Sequence, residues 1–171
     1  LLRRIWGQTT DLPSAKMSSD IRKSIIRLLY ILKNEFENIK MRPLCLNCIS
    51  TIYNRNDKDV NFRIQRIFLT KIKKVYCDLT NEEKIKALSL LQKFRGYSFK
   101  FMKSVLTDAI EKWAKNEFET LYTSIEFTML TKEQISKLKE ILWKWRSEAN
   151  QKKDQDKVDR IDKFLNLDAF R

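Results

Sequence analysis

The sequence contains no histidine in its 171 residues, and only two glycines, two prolines and three cysteines. Without histidine it lacks the commonest general base, the commonest metal ligand and the one side chain that titrates unaided near neutrality. Sheets need turns and turns need Gly and Pro, so a chain this poor in both is predicted to be all-α. Two glycines placed far apart make no phosphate-cradling loop, and a nucleophile would have no histidine to activate it. Enzymatic activity is therefore not expected, nor is a cofactor or a small-molecule substrate.

An odd number of cysteines argues against a disulfide framework and fits a reducing compartment. Cys45-x-x-Cys48 is the one paired motif, and only the distant Cys77 could add to it. Structural zinc wants four ligands, so no metal site is expected and the pair reads as small buried apolar residues. No apolar run approaches the ~18 residues that span a bilayer. Ile25 to Leu32 is broken by Arg27 and followed by Lys33, and membrane insertion is not expected.

What the chain does have is positive charge, unevenly placed. Its net charge is +13, with 43% hydrophobic residues, enough apolar side chains for a substantial core. Residues 60 to 107 carry eleven bases against three acids, residues 1 to 59 net +5, and residues 108 to 171 balance at 13 of each sign. All the excess therefore lies in the first 107 residues. Like charges held close together cost stability, and an excess this uneven points to a partner that compensates it. Within Val60 to Cys77 there is no acid, and Arg63, Arg66, Thr70 and Lys73 fall at spacings that share one helical face. Such a stripe is best tolerated with a polyanion laid across it.

Taken in order, residues 1 to 18 read as an irregular arm. The opening Leu-Leu-Arg-Arg-Ile-Trp, with no acid before Asp11, reads as an arbitrary chain edge or as the remnant of an Arg-bearing organellar presequence, the latter being favoured. Ser19 or Asp20 caps a first helix whose inward stripe is Ile21, Ile25, Leu28, Leu29, Leu32, Phe36 and Ile39. Pro43 opens a short helix facing inward through Leu44, Cys48, Ile49 and Ile52. The basic helix runs from Val60 to about Cys77. Thr80-Asn81-Glu82-Glu83 is a capping box, and Asn116-x-x-Glu119 and Thr131-x-x-Gln134 repeat its pattern. Long helices are thus expected near residues 19, 59, 99 and 132, and shorter ones near 43, 81, 117 and 156. A period of about 33 to 40 residues is the mark of helical hairpins stacked as a short α-solenoid, with an irregular helical bundle as the alternative. The expected organisation is an arm over residues 1–18 and one repeat domain over 19–171, basic to residue 107 and charge-balanced beyond it.

Phe68-Leu-Thr-Lys-Ile-Lys-Lys-Val-Tyr, a cap, Ile85 to Leu91, then Val105-Leu-Thr-Asp-Ala-Ile-Glu-Lys-Trp, a cap, and Leu121 to Ile125 resemble degenerate units of organellar RNA-binding helical repeats. The octotricopeptide and heptatricopeptide groups are meant, over about residues 60 to 130. The resemblance implies RNA contact in an organelle, often within a mitochondrial ribosome. It assigns no base-reading residue here.

Arg95-Gly96-Tyr97-Ser98-Phe99-Lys100-Phe101 superficially matches an RNP1 signature, but that motif belongs on a strand. Gly96 reads instead as a helix stop and the aromatics after it as the start of the next core stripe; the alternative leaves Tyr97, flanked by Arg95 and Lys100, as an exposed platform for a base. Trp143 and Trp145 stand two apart and cannot share one narrow face. Trp143 is placed in the core with Leu138 and Leu142, and Trp145 on the surface as a protein contact or partly buried under a long side chain. The acids Glu133, Glu140, Asp154, Asp156, Asp159 and Asp162 alternate with Lys and Arg and read as solvated faces with i,i+4 pairs.

The sequence therefore predicts a non-catalytic RNA-binding, structural subunit of an organellar ribonucleoprotein. The mitochondrial ribosome stands first, with another organelle or the nucleus as alternatives. RNA backbone, ribosomal RNA above all, would be held by Arg22, Lys23, Arg27, Arg63, Arg66, Lys71, Lys73, Lys74, Lys93, Arg95, Tyr97, Lys100 and Lys103. Other subunits of a large assembly would be its protein partners. The alternative is a protein–protein scaffold or accessory subunit of a mitochondrial membrane complex, its basic face set against an acidic subunit or anionic headgroups.

Overall fold

In a computed structural model, which describes residues 17–113, 115–127 and 129–171, the chain is all-α. Among the described residues there are eight α-helices and no strand. The helices are α1 (Ser19–Glu35), α2 (Arg42–Tyr53), α3 (Lys58–Val75), α4 (Asn81–Lys93), α5 (Phe99–Lys112), α6 (Lys115–Ser124), α7 (Lys132–Gln151) and α8 (Gln155–Leu165). Long and short helices alternate, and every start lies within two residues of its expected position. Residues 1–16 of the expected arm lie outside the described residues.

The helix starts are chemical. The Glu83 N–H donates to Thr80 Oγ1 at 3.3 Å while the Thr80 N–H donates to Glu83 Oε2 at 2.8 Å, closing the expected box at α4. Thr131 and Gln134 make the same reciprocal pair at α7, at 3.2 and 3.0 Å. α1 is capped by Ser18, one residue ahead of the pair expected, and α6 begins at Lys115, ahead of Asn116. Helix ends are less orthodox. Arg95 and Lys153 adopt positive φ, 49° and 58°, where helices usually place glycine. Gly96 N–H then reaches Leu91 O at 2.8 Å and Asp154 N–H reaches Ala149 O at 3.0 Å, so each end closes as a Schellman turn. Gly96 follows the left-handed residue rather than supplying it.

The chain divides into two compact units, one ending at Thr70 and the other running from Lys71 to Arg171, and the division falls inside α3. In the first unit, Ile25, Leu29, Leu32 and Phe36 of α1 are buried, as are Cys45, Leu46, Ile49 and Ile52 of α2. From α3 the unit buries Val60, Ile64 and Phe68, an unbroken run at every fourth residue. Phe36 and Phe68 meet edge to face at 5.9 Å. Arg42, itself buried, donates from Nε to Phe36 O at 3.2 Å and so satisfies a carbonyl at the end of α1. Ile39 and Leu44, expected inside, are exposed. α1 stops at Glu35, a separate turn begins at Ile39, and the apolar face of α2 is rotated toward Cys45 and Leu46.

In the second unit α7 and α8 pack as a hairpin, α4 packs on α6, and α5 touches both α7 and α8. Phe101, Met102, Val105, Ala109, Ile110 and Trp113 of α5 are all buried, the set its periodicity predicts. Phe118 meets Phe164 edge to face at 5.5 Å, and Phe127 meets Phe170 at 4.8 Å. Within this core lies an ion pair, Lys84 Nζ 2.7 Å from Asp108 Oδ2, and Trp113 Nε1 donates to the same oxygen at 3.0 Å. The rings of Tyr76 and Trp113 stand 5.7 and 5.9 Å from the ammonium. Among the described residues, no helix is long and apolar enough to cross a membrane, and no group of three or more His, Cys, Asp or Glu could hold a metal ion.

Candidate nucleic-acid interface

In the first unit α1 and α3 border an open groove of about 810 Å³. Arg22, Ile26, Tyr30 and Lys33 recur at four, four and three residues, so one face of α1 supplies its wall. Asp59, Phe62, Arg63, Arg66 and Ile67 supply the other from the side of α3 turned away from Val60, Ile64 and Phe68. Two of the lining residues are large and apolar yet open to solvent, Tyr30 at 52% and Phe62 at 65% exposure.

The charges in this groove are not equivalent. Arg22 is half-buried and committed to protein, with Nη2 2.9 Å from Asp57 Oδ2 and Nη1 3.7 Å from Asp59. Desolvation pushes the Asp57 carboxyl up, but hydrogen bonds from the Val60 N–H and from Arg22 outweigh it and hold it below its ordinary value. Arg63 and Arg66 are exposed and make no ion pair among the described residues, and the same is true of Lys33. A cavity wall with three uncompensated cations and one partly neutralised acid attracts an anion.

The other expected site residues are distributed as follows. Lys23 and Arg27 are exposed on α1 but lie outside the groove. Lys74 is exposed and Lys71 half-buried. Lys73 is half-buried, its ammonium 5.6 Å over the Phe101 ring, and burial lowers its pKa. Lys93 and Arg95 border a cavity of about 770 Å³ together with Gln92, Glu126 and Met129. Lys100 and Lys103 are exposed on α5.

Two aromatic assignments are corrected. Tyr97 is not an exposed platform: it is 7% exposed, and its hydroxyl donates to Leu88 O at 2.9 Å. Its ring lies 6.0 Å from Phe101, and burial raises its pKa. The turn at Arg95 and Gly96 folds the ring back over α4, where the core covers it. On α7, Trp143 is 51% exposed rather than in the core, with Arg146 5.6 Å over its ring, while Trp145 is half-buried. The balanced acids also do more than line a solvated face. Asp162 accepts a bidentate pair from Arg146 across helices at 2.5 and 3.0 Å, and Lys157 pairs with Glu111 and Lys163 with Glu119. Glu133 and Lys137 do form the expected i,i+4 pair, at 2.6 Å.

Tyr30, Lys33 and Phe62 were not among the residues the sequence singled out. A signal exists for Phe62: it stands two residues from Val60, about 200° around the helix from a stripe that repeats at every fourth position. Comparison with protein-family models, curated proteins and solved structures returned no match. Function therefore has to come from the groove's own chemistry.

Proposed function

We propose that this chain is a non-catalytic RNA-binding subunit of an organellar ribonucleoprotein, the mitochondrial ribosome standing first, and that its first unit makes the contact. The observation that carries the reading is the groove between α1 and α3, where Arg63, Arg66 and Lys33 are exposed without an ion pair among the described residues. Phosphates laid along it supply the missing counter-charge and release condensed ions. The organellar assignment is supported by the resemblance to organellar helical repeats. Exposed Trp143 supports a second role for the charge-balanced part of the chain, contact with a neighbouring protein.

The test is the salt dependence of RNA binding. Affinity for a structured RNA should fall steeply between ~50 and ~200 mM salt. Arg63→Glu with Arg66→Glu should lower affinity at least tenfold and flatten the log–log slope by about 1 to 2, with helicity unchanged by circular dichroism. An unaltered slope in that variant would remove the groove from the interface.

A further inference from the structure

The aromatic content of the groove carries more than the charge does. Burying a Phe side chain stabilises a fold, and single exposed apolar residues are common. Here, however, two exposed aromatics, Tyr30 from α1 and Phe62 from α3, line the same groove as Lys33, Arg63 and Arg66. Backbone neutralisation alone has no use for either ring. An apolar protein helix could use the rings but would bury the cations against nothing. A nucleotide uses both, because its base has a flat π-face and its phosphate a charge. Bases in a duplex are stacked on one another and cannot reach a side-chain ring, whereas an unpaired base can. The volume, about 810 Å³, lies within the roughly 300–1,000 Å³ of sites that hold small organic groups, so a nucleotide or two can enter.

We infer that the α1–α3 groove takes unpaired nucleotides of single-stranded RNA, with bases against Tyr30 and Phe62 and flanking phosphates on Lys33, Arg63 and Arg66. Asp59, which shares a wall with Arg63 and Arg66, has its charge partly offset by Arg22 at 3.7 Å. The inference rests on the RNA-binding reading above, but adds a preference that backbone contact cannot produce. The contact is indifferent to which base is present, since every base offers a π-face.

The experiment measures binding of the full chain, by fluorescence anisotropy at fixed salt, to a 12-nucleotide oligouridine and to an abasic strand with the same number of phosphates. The wild type should favour oligouridine roughly 5- to 150-fold for each base engaged. Tyr30→Ala with Phe62→Ala should erase that preference while leaving affinity for the abasic strand and its salt dependence unchanged. Trp143→Ala, which alters an exposed ring outside the groove, should keep it. Equal affinity of the wild type for the two strands would overturn the inference and leave backbone binding standing; a groove occupied instead by an acidic protein helix gives that result. A preference that survives the double substitution would place the base elsewhere and also overturn it. Failure to bind either strand would remove the RNA-binding reading along with it. Both side chains are mostly in solvent, and the wild-type comparison requires no variant.

Discussion

Asp108 is reached from three sides. Lys84 Nζ lies 2.7 Å away, Trp113 Nε1 donates at 3.0 Å, and Lys112 Nζ stands 3.4 Å from its other oxygen. The carboxylate and Lys84 are both buried, so removing one partner leaves an uncompensated charge in the core. Asp108→Ala should cost about 3–5 kcal/mol in urea unfolding, whereas Lys84→Met combined with Asp108→Leu should recover most of it. Equal losses in the two would mean that the pair is not desolvated in solution. No pattern in the sequence reveals this contact, because its members stand 24 residues apart and each looks like an ordinary surface charge. Tyr97 escaped for a related reason. Its cationic neighbours Arg95 and Lys100 suggest solvent, and only the fold shows the ring turned onto Leu88.

Elements were far more legible than contacts. Thr80-x-x-Glu83 and Thr131-x-x-Gln134 are local chemistry, and both close as boxes in the structure. Thr131→Ala should destabilise the chain by about 1 kcal/mol, read as a lower urea midpoint with unchanged slope. No loss would show that the start of α7 is held by packing alone. The inward faces of α5 and α8 largely follow from their periodicity: Val158, Ile161 and Phe164 are buried, while Leu165, which belongs to the same apolar set, is only half-buried. Periodicity failed where an element ended early. Ile39 keeps the rhythm of α1 but falls beyond Glu35, and so emerges into solvent. The groove was half legible: Arg63 and Arg66 announce themselves by the acid-free run from Val60 to Cys77, while Phe62 and Tyr30 look like core residues in any hydrophobic count. Pairs such as Arg146 with Asp162 need the α7–α8 hairpin to exist before they can be seen.

At the scale of the whole chain, the net charge of +13 sets the response to salt. Its excess lies in the first 107 residues, and repulsion among those cations falls as the Debye length shrinks from about 30 Å at ~0.01 M to about 8 Å at ~0.15 M. The melting temperature should therefore rise by a few degrees over that range, and Arg63→Glu with Arg66→Glu should lose part of the rise. A flat response would mean that the repulsion is already offset within the folded chain. The division at Thr70 has a different consequence. Most paired units are tethered by slack polypeptide that proteases find first, but here the tether is a wound helix, α3, running unbroken from Lys58 to Val75. Trypsin in small amounts should spare the bonds after Arg66, Lys71, Lys73 and Lys74, despite their density, and cut the exposed turn at Lys152 and Lys153 ahead of them. An early cut after Lys71 would show that this helix frays just after Thr70.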